Sequence, residues 1–391
     1  MLILSIETSC DETAISLVEA RGEFPNATYE ILGNALWSQI DIHREYGGVF
    51  PALAKREHAA TIVPMLEKAL TESELDAREF TPELDEDTRA EIHTLLAREH
   101  GLADHLLTFH QTHGTYAIDL IAVTSGPGLE PALWVGVNFA KALALLWDVP
   151  VVPVNHMEGH ILISVFDADR DDQLSEIQFP AIALLISGGH TELVLMRNWG
   201  QYEKIGQTRD DAAGEAFDKV ARLLGLQYPG GPEISTRAAE ARKRKLPRYA
   251  ELPTPMLHSG DLDFSFSGLK TAVRYAVQNK ELSEDDKLAI ARDFEDAVTT
   301  VLVKKSLVAI EKHDAKTLIV GGGVSANRHI RQVMEATLLT EYPDVTVYFP
   351  PYGLSTDNSV MMALSGHARA AGALAPAATD VLRADGNKSL S

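Results

Sequence analysis

A short pattern occurs twice in this sequence, and the repetition limits the folds that the chain can adopt more than any other feature. Residues 2–7 and 13–18 are apolar runs typical of strands, and the small polar turn Thr8-Ser9-Cys10-Asp11-Glu12 joins them. Residues 181–186 and 191–195 repeat the arrangement around the turn Ser187-Gly188-Gly189-His190. Such a duplication predicts two domains of like fold that face each other across a cleft, where both turns offer backbone amides to one ligand.

The rest of the chain alternates between strands and helices. A strand at 118–124 precedes a glycine-containing turn and a helix, and another strand follows at 150–154. This alternation indicates an α/β fold whose sheets are covered by helices. A chain of 391 residues also exceeds what one hydrophobic core usually supports. We therefore expect two domains, residues 1–150 and 151–391, with the last helix free to pack back on the first domain.

Two glycine-rich junctions between a strand and a helix are candidates for binding phosphate. The first is Ser125-Gly126-Pro127-Gly128-Leu129, and the second is Gly321-Gly322-Gly323-Val324-Ser325-Ala326-Asn327. Glycines at such junctions let a phosphate approach backbone N–H groups closely. The spacing of the second junction matches neither the dinucleotide fingerprint nor the P-loop, so the sequence indicates only a general cradle for a nucleoside or phosphate.

Composition limits the partners and the metal ligands. A net charge of −21 disfavours binding of nucleic acid by the whole surface. The dense cationic run Arg242-Lys243-Arg244-Lys245, closely followed by Arg248, is either a local contact for nucleic acid or a solvated helix end. The single cysteine, Cys10, excludes an internal disulfide and leaves any metal to His, Asp or Glu ligands. Because long apolar runs and a basic, cleavable leader are both absent, we expect a cytoplasmic protein with no role for a membrane.

The composition changes between about residues 72 and 114. Acidic and helix-favouring residues dominate there, and leucines form an apolar stripe. The stretch also contains His93, His100, His105, His110 and His113. No two of these histidines are four residues apart. We predict an inserted, mostly helical excursion without a metal role.

The stretch Asn155-His156-Met157-Glu158-Gly159-His160 follows a buried strand and opens a helix. Histidines four residues apart lie on one helix face, where both imidazoles can reach one metal ion. The chain has 14 histidines, so the number of i,i+4 histidine pairs expected by chance is roughly one half. The alternative to a metal site is therefore two partly exposed helix histidines without a ligand. Asp357, just before the last major helix at 358–372, is the best candidate for a third ligand, although it could simply cap that helix.

Further motifs complete the pattern, and together they resemble a known family. In chain order the matching motifs are Ile6-Glu7-Thr8-Ser9-Cys10-Asp11-Glu12-Thr13, Tyr46-Gly47-Gly48-Val49, Gly126-Pro127-Gly128-Leu129, His156-Met157-Glu158-Gly159-His160, Ser187-Gly188-Gly189-His190-Thr191, residues 211–219, Tyr228-Pro229-Gly230-Gly231-Pro232, residues 263–271, residues 322–327 and Thr356-Asp357-Asn358. The sequence thus resembles the bacterial branch of the TsaD family, formerly called Gcp. The resemblance covers nearly the whole chain outside residues 72–114 and the C-terminal tail.

This resemblance implies the actin/Hsp70/sugar-kinase fold, in which two RNase-H-like lobes surround a nucleotide cleft. It implies transfer of threonylcarbamoyl from threonylcarbamoyl-AMP to N6 of adenosine 37 in tRNAs that read codons starting with A. It also implies TsaB-like and TsaE-like partner subunits and one divalent metal ion, usually iron (Fe2+), with zinc (Zn2+) as the alternative. The positions that match the family's metal ligands are His156, His160 and Asp357. Those that match its substrate contacts are Leu185, Ile186, Ser187, Gly188, Gly189, Asp218, Gly231 and Asn327.

The chemistry is compatible with these residues. An exocyclic amine that attacks a mixed anhydride, with AMP leaving, does not require a nucleophilic triad. Metal held by two histidines and an aspartate would act as a Lewis acid, and amides of the turn at Ser187 would stabilise developing negative charge. An additional hypothesis concerns Asp11 and Glu12. They would relay the amine proton or hold the metal's waters. No residue is identified as the general base.

Three other functions fit parts of the pattern. In zinc peptidases a glutamate directly follows the first histidine. Here Glu158 lies two residues after His156, about 200° around a helix of 3.6 residues per turn, so it points away. Asn155 and Glu158 instead form a capping-box-like pattern. A phosphotransferase or ATPase of the same fold also stays open, as does a non-catalytic scaffold, although a scaffold should have lost the metal ligands.

Overall fold

The computed structural model describes residues 1–78, 84–168 and 172–390. Contacts between Cα atoms divide the chain into two compact units, each with a hydrophobic core of its own. The first unit comprises Met1–Ile42, Val49–Ser175 and Asp357–Ser389. The second unit is built mainly from His43–Gly48 and Glu176–Thr356.

The strands and helices follow one another in the order expected of an α/β protein. The strands are β1 (Leu2–Glu7), β2 (Glu12–Arg21), β3 (Thr28–Ser38), β4 (Leu120–Gly126), β5 (Val151–Asn155), β6 (Phe166–Asp167), β7 (Gln173–Leu174), β8 (Ala181–Ile186), β9 (Thr191–Asn198), β10 (Gln201–Gln207), β11 (Thr317–Gly321) and β12 (Thr346–Tyr348). The α-helices are α1 (Ile40–Arg44), α2 (Pro51–Glu72), α3 (Glu86–Leu95), α4 (Leu102–His113), α5 (Glu130–Trp147), α6 (His156–Ser164), α7 (Ala213–Leu223), α8 (Gly230–Lys243), α9 (Ser267–Val277), α10 (Glu284–His313), α11 (Arg328–Glu341) and α12 (Val360–Ala368).

The two sheets have the same strand order. In the first unit the order is β5-β4-β1-β2-β3, extended by β7 and β6, and in the second it is β12-β11-β8-β9-β10. In each sheet, three consecutive strands pair antiparallel, and two later strands add in parallel beside the first of them. This shared topology confirms the prediction of an α/β fold with two RNase-H-like halves. The central strands are buried along their whole length, as parallel strands covered by helices must be.

The compact units are bounded differently from the predicted domains 1–150 and 151–391. The first unit continues past residue 150 to Ser175 and takes back Asp357–Ser389. Strand β5 belongs to it because β5 pairs in parallel with β4, and this pairing satisfies the backbone groups of a strand that is almost entirely buried. Helix α12 covers the same sheet, and every one of its residues from Val360 to His367 is buried.

The inserted segment at 72–114 contains two short helices, as predicted, although residues 79–83 lie outside the described residues. Helix α3 is capped by Asp85, whose side chain accepts a hydrogen bond from the Thr88 N–H at 2.6 Å. Leu102 and Leu106 of α4 join the hydrophobic core of the first unit. None of the helices in the described ranges is long and apolar enough to cross a membrane.

Candidate functional site

Strand β5 brings two histidines to the start of a buried helix. The Asn155 side chain caps α6, because its Oδ1 accepts hydrogen bonds from the N–H groups of Met157 (2.8 Å) and Glu158 (3.4 Å). His156 and His160 therefore lie on one helix face, and their ring centroids are 4.7 Å apart. Only 6% of His156 and none of His160 is exposed. The alternative of two partly exposed histidines is thus excluded.

Asp357 meets both histidines. Its Oδ1 lies 3.4 Å from Nε2 of His156 and 3.2 Å from Nε2 of His160. One donor atom from each of the three residues lies within 4.8 Å of the other two. Helix α12 begins at Val360, later than the predicted residue 358, and the Asn358 side chain accepts a hydrogen bond from the Met361 N–H. Asp357 consequently lies in the turn before the helix, and its carboxylate is directed at the histidines.

The three side chains suit a metal ion. Two ligand atoms at about 2.0–2.1 Å from one ion are roughly 2.8–3.4 Å apart in octahedral or tetrahedral coordination. The separations of 3.2 and 3.4 Å between the histidine nitrogens and Asp357 fall in this range. Neither ring nitrogen of the buried His160 makes a well-aligned hydrogen bond within the described part of the chain. Its Nε2 nevertheless lies 3.2 Å from Oδ1 of Asp357, so an ion between them would satisfy that nitrogen. Imidazole and carboxylate ligands fit Fe2+ or Zn2+ and leave positions open for a substrate.

Glu7, which the sequence analysis did not single out, orients His156. Its Oε2 lies 3.0 Å from Nδ1 of His156 and also accepts a hydrogen bond from the Thr124 hydroxyl at 2.7 Å. Its Oε1 accepts a hydrogen bond from the Ser9 N–H at 2.5 Å. An ionised carboxylate only accepts, so Nδ1 of His156 carries the proton and Nε2 is left for a metal. A carboxylate at the end of an apolar strand is the sequence signal that could have revealed this role.

Opposing effects set the charges at this site. Burial alone would lower the pKa of His156, but the carboxylates of Asp357 and Glu7 raise that pKa well above its usual value. Burial lowers the pKa of His160. Burial would raise the pKa of Asp357, yet the two imidazoles hold it far below its usual value. The two carboxylates thus favour a proton on His156, and a metal ion competes with that proton for Nε2.

Glu158 is paired away from the histidines. Its carboxylate accepts hydrogen bonds from Nε (3.0 Å) and Nη2 (2.7 Å) of Arg369, just beyond α12. The bidentate pair ties the helix with the histidines to the segment that follows Asp357. Glu158 therefore points away from the metal site, as predicted. The ion pair with Arg369 takes the place of the predicted capping-box role, whereas the capping role of Asn155 is present.

The glycine loop after β4 is covered by the chain itself, not open to phosphate. The Asp385 N–H donates to the Ser125 carbonyl at 2.8 Å, and the Gly128 N–H donates to the Gly386 carbonyl at 3.2 Å. A Cβ on Gly126 would lie 1.9 Å from the carbonyl oxygen of Asp385, so this glycine admits the C-terminal segment. The prediction of a phosphate cradle at this loop is wrong for that reason.

The turn between β1 and β2 is buried. Only 7% of Asp11 and 9% of Glu12 is exposed. Burial, together with the neighbouring Asp11 and Asp357 carboxylates, raises the pKa of Glu12 well above its usual value. The Nε2 of His58 lies 3.0 Å from the Cys10 carbonyl oxygen and holds this turn against α2. A carboxyl with a raised pKa suits proton transfer, so the relay hypothesis for Glu12 remains a prediction.

The second unit contains all the residues predicted to contact substrate. Leu185 and Ile186 end the buried strand β8, and Ser187, Gly188 and Gly189 form the turn that follows. The Ser187 N–H donates to the His190 carbonyl at 2.9 Å, and the Ser187 hydroxyl accepts from the Gly189 N–H at 3.3 Å. Of the three turn amides, only that of Gly188 makes no hydrogen bond within the described part of the chain. The predicted set of three donors is thus reduced to one.

Helix termini position the remaining residues that are predicted to contact substrate. Asp218 in α7 accepts a hydrogen bond from the Gly230 N–H at 2.7 Å, which places the start of α8, and with it Gly231, beside α7. Asn327 caps α11 by accepting from the Ile330 N–H at 3.0 Å. Asp210, which precedes α7, accepts hydrogen bonds from the N–H groups of Phe266 (2.8 Å) and Ser267 (3.1 Å), at the start of α9.

Comparison with known sequences decides the family. A model of the TsaD family, described as tRNA N6-adenosine threonylcarbamoyltransferase, matches residues 30–81 and 102–364. The chain is 44% identical over 379 residues to the tRNA N6-adenosine threonylcarbamoyltransferase of Burkholderia mallei (strain ATCC 23344), with 95% of this chain and 93% of that protein covered. The chain belongs to the TsaD family. The protein of the same name from Burkholderia multivorans (strain ATCC 17616 / 249) is also 44% identical, with the same coverage.

Membership of the TsaD family makes the chain a transferase that modifies tRNA, and sets aside the peptidase, phosphotransferase and scaffold alternatives. The break in the family match between residues 81 and 102 falls inside the predicted insertion, and the match ends at residue 364, before the segment that covers Gly126. The solved structure of component A of (R)-2-hydroxyglutaryl-CoA dehydratase from Acidaminococcus fermentans is 12% identical, with a TM-score of 0.46, and covers 98% of this chain and 99% of its own. No function follows from a similarity at that level.

Proposed function

We propose that this TsaD family member transfers the threonylcarbamoyl group of threonylcarbamoyl-AMP to N6 of adenosine 37 in tRNAs that read codons starting with A. In this reaction the N6 amine forms a bond to the carbamoyl carbon, the bond from that carbon to the phosphate oxygen breaks, AMP leaves, and the amine loses a proton. The single observation that carries the proposal is the buried group of His156, His160 and Asp357 in a chain whose relatives are threonylcarbamoyltransferases.

The chain's own residues supply the binding and orientation that this reaction needs. We infer that His156, His160 and Asp357 hold one divalent ion, Fe2+ or alternatively Zn2+, which supplies Lewis-acid polarisation of a substrate oxygen when bound. Glu7 keeps His156 in the tautomer that can ligate. Glu12, whose pKa is raised by burial, is the candidate for accepting the amine proton.

The nucleotide part of the substrate is assigned to the second unit. Leu185, Ile186 and Ser187 present the turn, in which the Gly188 N–H is available to a phosphate or carbonyl oxygen, and Gly189 follows without a side chain that would block approach. Asp218, Gly231 and Asn327 complete the set at the termini of helices. These roles follow from the match to the family's substrate contacts.

The tRNA contact is assigned to exposed cations of the basic run. Arg242 and Arg244 are paired with Glu295 and Asp285, respectively. Lys243, Lys245 and Arg248 are exposed and lie at or beyond the end of α8. Because the chain carries a net charge of −21, we further infer that TsaB-like and TsaE-like subunits help to hold the tRNA. A cytoplasmic location is part of the same proposal.

The decisive experiment is a complete transfer reaction. Metal-loaded protein, the two partner subunits, threonylcarbamoyl-AMP and an unmodified tRNA are incubated, and the digested nucleosides are identified by mass spectrometry. We expect threonylcarbamoyladenosine, which should disappear when adenosine 37 is replaced by guanosine or when His160→Ala is used. Modified nucleoside formed equally well on the guanosine-37 tRNA, or none with the metal-loaded enzyme, would refute the proposal.

A further inference from the structure

Asn327 does not stand alone at its position in the second unit. Its Nδ2 donates a hydrogen bond to Oε1 of Glu295 at 2.7 Å, while its Oδ1 accepts from the Ile330 N–H at 3.0 Å. Glu295 lies in the long helix α10, and its side chain is fully buried. A buried carboxylate needs hydrogen-bond partners for both oxygens. The partner of the second oxygen of Glu295 therefore matters for the hydrogen bond that the first oxygen accepts from Asn327.

The second oxygen of Glu295 is bound by the first residue of the basic run. Its Oε2 accepts from Nη1 of Arg242 at 2.5 Å, and Nη2 of the same guanidinium donates to Asp296. His329 Nε2 lies 3.0 Å from Asp296 Oδ1, so a residue in the first turn of α11 joins the same cluster. Helices α8, α10 and α11 are therefore connected through polar side chains that converge on Asn327.

This cluster determines the orientation of the Asn327 side-chain amide, with Nδ2 toward Glu295 and Oδ1 toward the Ile330 N–H. Glu295 is ionised when paired with Arg242 and can only accept, so the group that faces it must be the amide nitrogen. The Ile330 N–H can only donate, so it must face the amide oxygen. Both neighbours require the same orientation, and one hydrogen on Nδ2 and one lone pair on Oδ1 are left for a ligand.

We propose that Glu295 is a positioning residue that sets the orientation of Asn327 for a nucleoside-phosphate substrate. The inference rests on the proposed function, because that function makes Asn327 a substrate contact. Glu295 acts through Asn327 and does not itself touch the substrate. The same cluster removes Arg242 from the tRNA contact, since its guanidinium is committed to Glu295 and Asp296.

Glu295→Gln is the informative substitution because it keeps the shape of the side chain. The new amide must present its oxygen to Arg242, so its NH2 group faces Asn327. Asn327 must then turn its own oxygen toward residue 295 and its NH2 group toward the Ile330 N–H, which leaves two donors facing each other. The orientation of Asn327 is thereby lost without removal of any atom from the substrate site.

The test is a double-mutant cycle on Glu295 and Asn327, read by binding of AMP in calorimetric titrations and by kcat and KM for threonylcarbamoyl-AMP. Glu295→Gln and Asn327→Ala should each weaken AMP binding and raise KM by about tenfold, with kcat changed much less. The double variant should bind no more weakly than Asn327→Ala alone, because Glu295 has no other route to the ligand.

Asp293→Asn is the matched control. Asp293 is also buried on α10, but its carboxylate accepts from Arg292 and from the Tyr249 N–H, away from Asn327. The Asp293→Asn substitution should lower the melting temperature without altering KM for threonylcarbamoyl-AMP.

Additive losses in the double variant, or wild-type AMP binding and KM in Glu295→Gln, would overturn the inference. Wild-type binding in Asn327→Ala would overturn both this inference and the substrate assignment. Intact AMP binding with the expected cycle, but without transfer to tRNA, would refute only the proposed function.

Discussion

Glu7 ends strand β1 and His156 begins helix α6, yet Oε2 of Glu7 is 3.0 Å from Nδ1 of His156. This contact leaves Nε2 of the imidazole facing Asp357. In the candidate metal site, Glu7 thus orients a proposed ligand and is not one of the proposed ligands itself. Such outer contacts hold the ring orientation and raise the basicity of the ligand.

Glu7→Gln should weaken metal binding by about ten- to a hundredfold. The amide can donate to Nδ1 and so favours the tautomer that protonates Nε2, which cannot ligate. Competition with a chromogenic chelator would measure the affinity. Glu99→Gln is the control, because Glu99 is equally buried but pairs with Lys55 at 3.3 Å. Equal affinities of Glu7→Gln and the wild type would contradict the assigned role.

Gly214→Ala should raise KM for threonylcarbamoyl-AMP by about tenfold or more, since small displacements at a binding turn are costly. A Cβ at this position would lie 2.7 Å from the Ser187 carbonyl oxygen and 2.9 Å from Gly188 Cα, so the turn must move. Gly268→Ala, where a Cβ meets nothing within 4 Å, is the control in the same unit. An unchanged KM in Gly214→Ala would show that the turn does not contact substrate.

Removal of residues 385–391 should destabilise the first unit and weaken its metal site. The segment covers Gly126. Its Ser389 carbonyl accepts a hydrogen bond at 3.0 Å from Nδ2 of Asn155, which caps the helix that contains both histidines. Each lost hydrogen bond costs about 0.5–1.5 kcal/mol. Thermal unfolding with and without metal measures the effect, and Lys243→Met, at an exposed position outside this segment, serves as the control. A truncated chain with wild-type metal affinity would confine the segment to a stabilising role.

His110→Leu should stabilise the protein by about 1 kcal/mol at neutral pH, because both nitrogens of this buried ring lack a hydrogen-bond partner among the described residues. Burial lowers the pKa of His110 in the folded state. The unfolded chain then binds more protons, so wild-type stability falls as the pH drops below about 6.5. Denaturant unfolding between pH 5 and 8 should show a weaker decline in His110→Leu than in the exposed control His93→Leu. A parallel decline would exclude His110 as its source.

Lys243→Ala, Lys245→Ala and Arg248→Ala in combination should weaken tRNA binding and make it less dependent on salt, because each phosphate contact contributes to the salt slope. Filter binding at several salt concentrations measures both. Arg242→Ala should instead raise KM for the nucleotide substrate, since its guanidinium supports Glu295. If the triple variant retains the affinity and slope of the wild type, the basic run has no part in tRNA recognition.

Local pattern was enough to predict the strands, the glycine junctions and the histidine pair. Alternation of apolar residues reports burial of one face or both, and a spacing of four reports one face of a helix, whatever lies elsewhere in the chain. The turn at Ser187 and the cap at Asn155 follow from residue type alone.

The sequence by itself thus indicated two domains of like fold and the two histidines that share a helix face. Only the tertiary structure decided that Asp357 lies beside the two histidines and that Glu7 orients His156. It also decided that the C-terminal segment covers the loop at Gly126, and that Arg242 pairs with the buried Glu295. These are contacts between residues far apart in the chain. Which buried polar groups become partners depends on how the elements pack, and no local period or propensity contains that information.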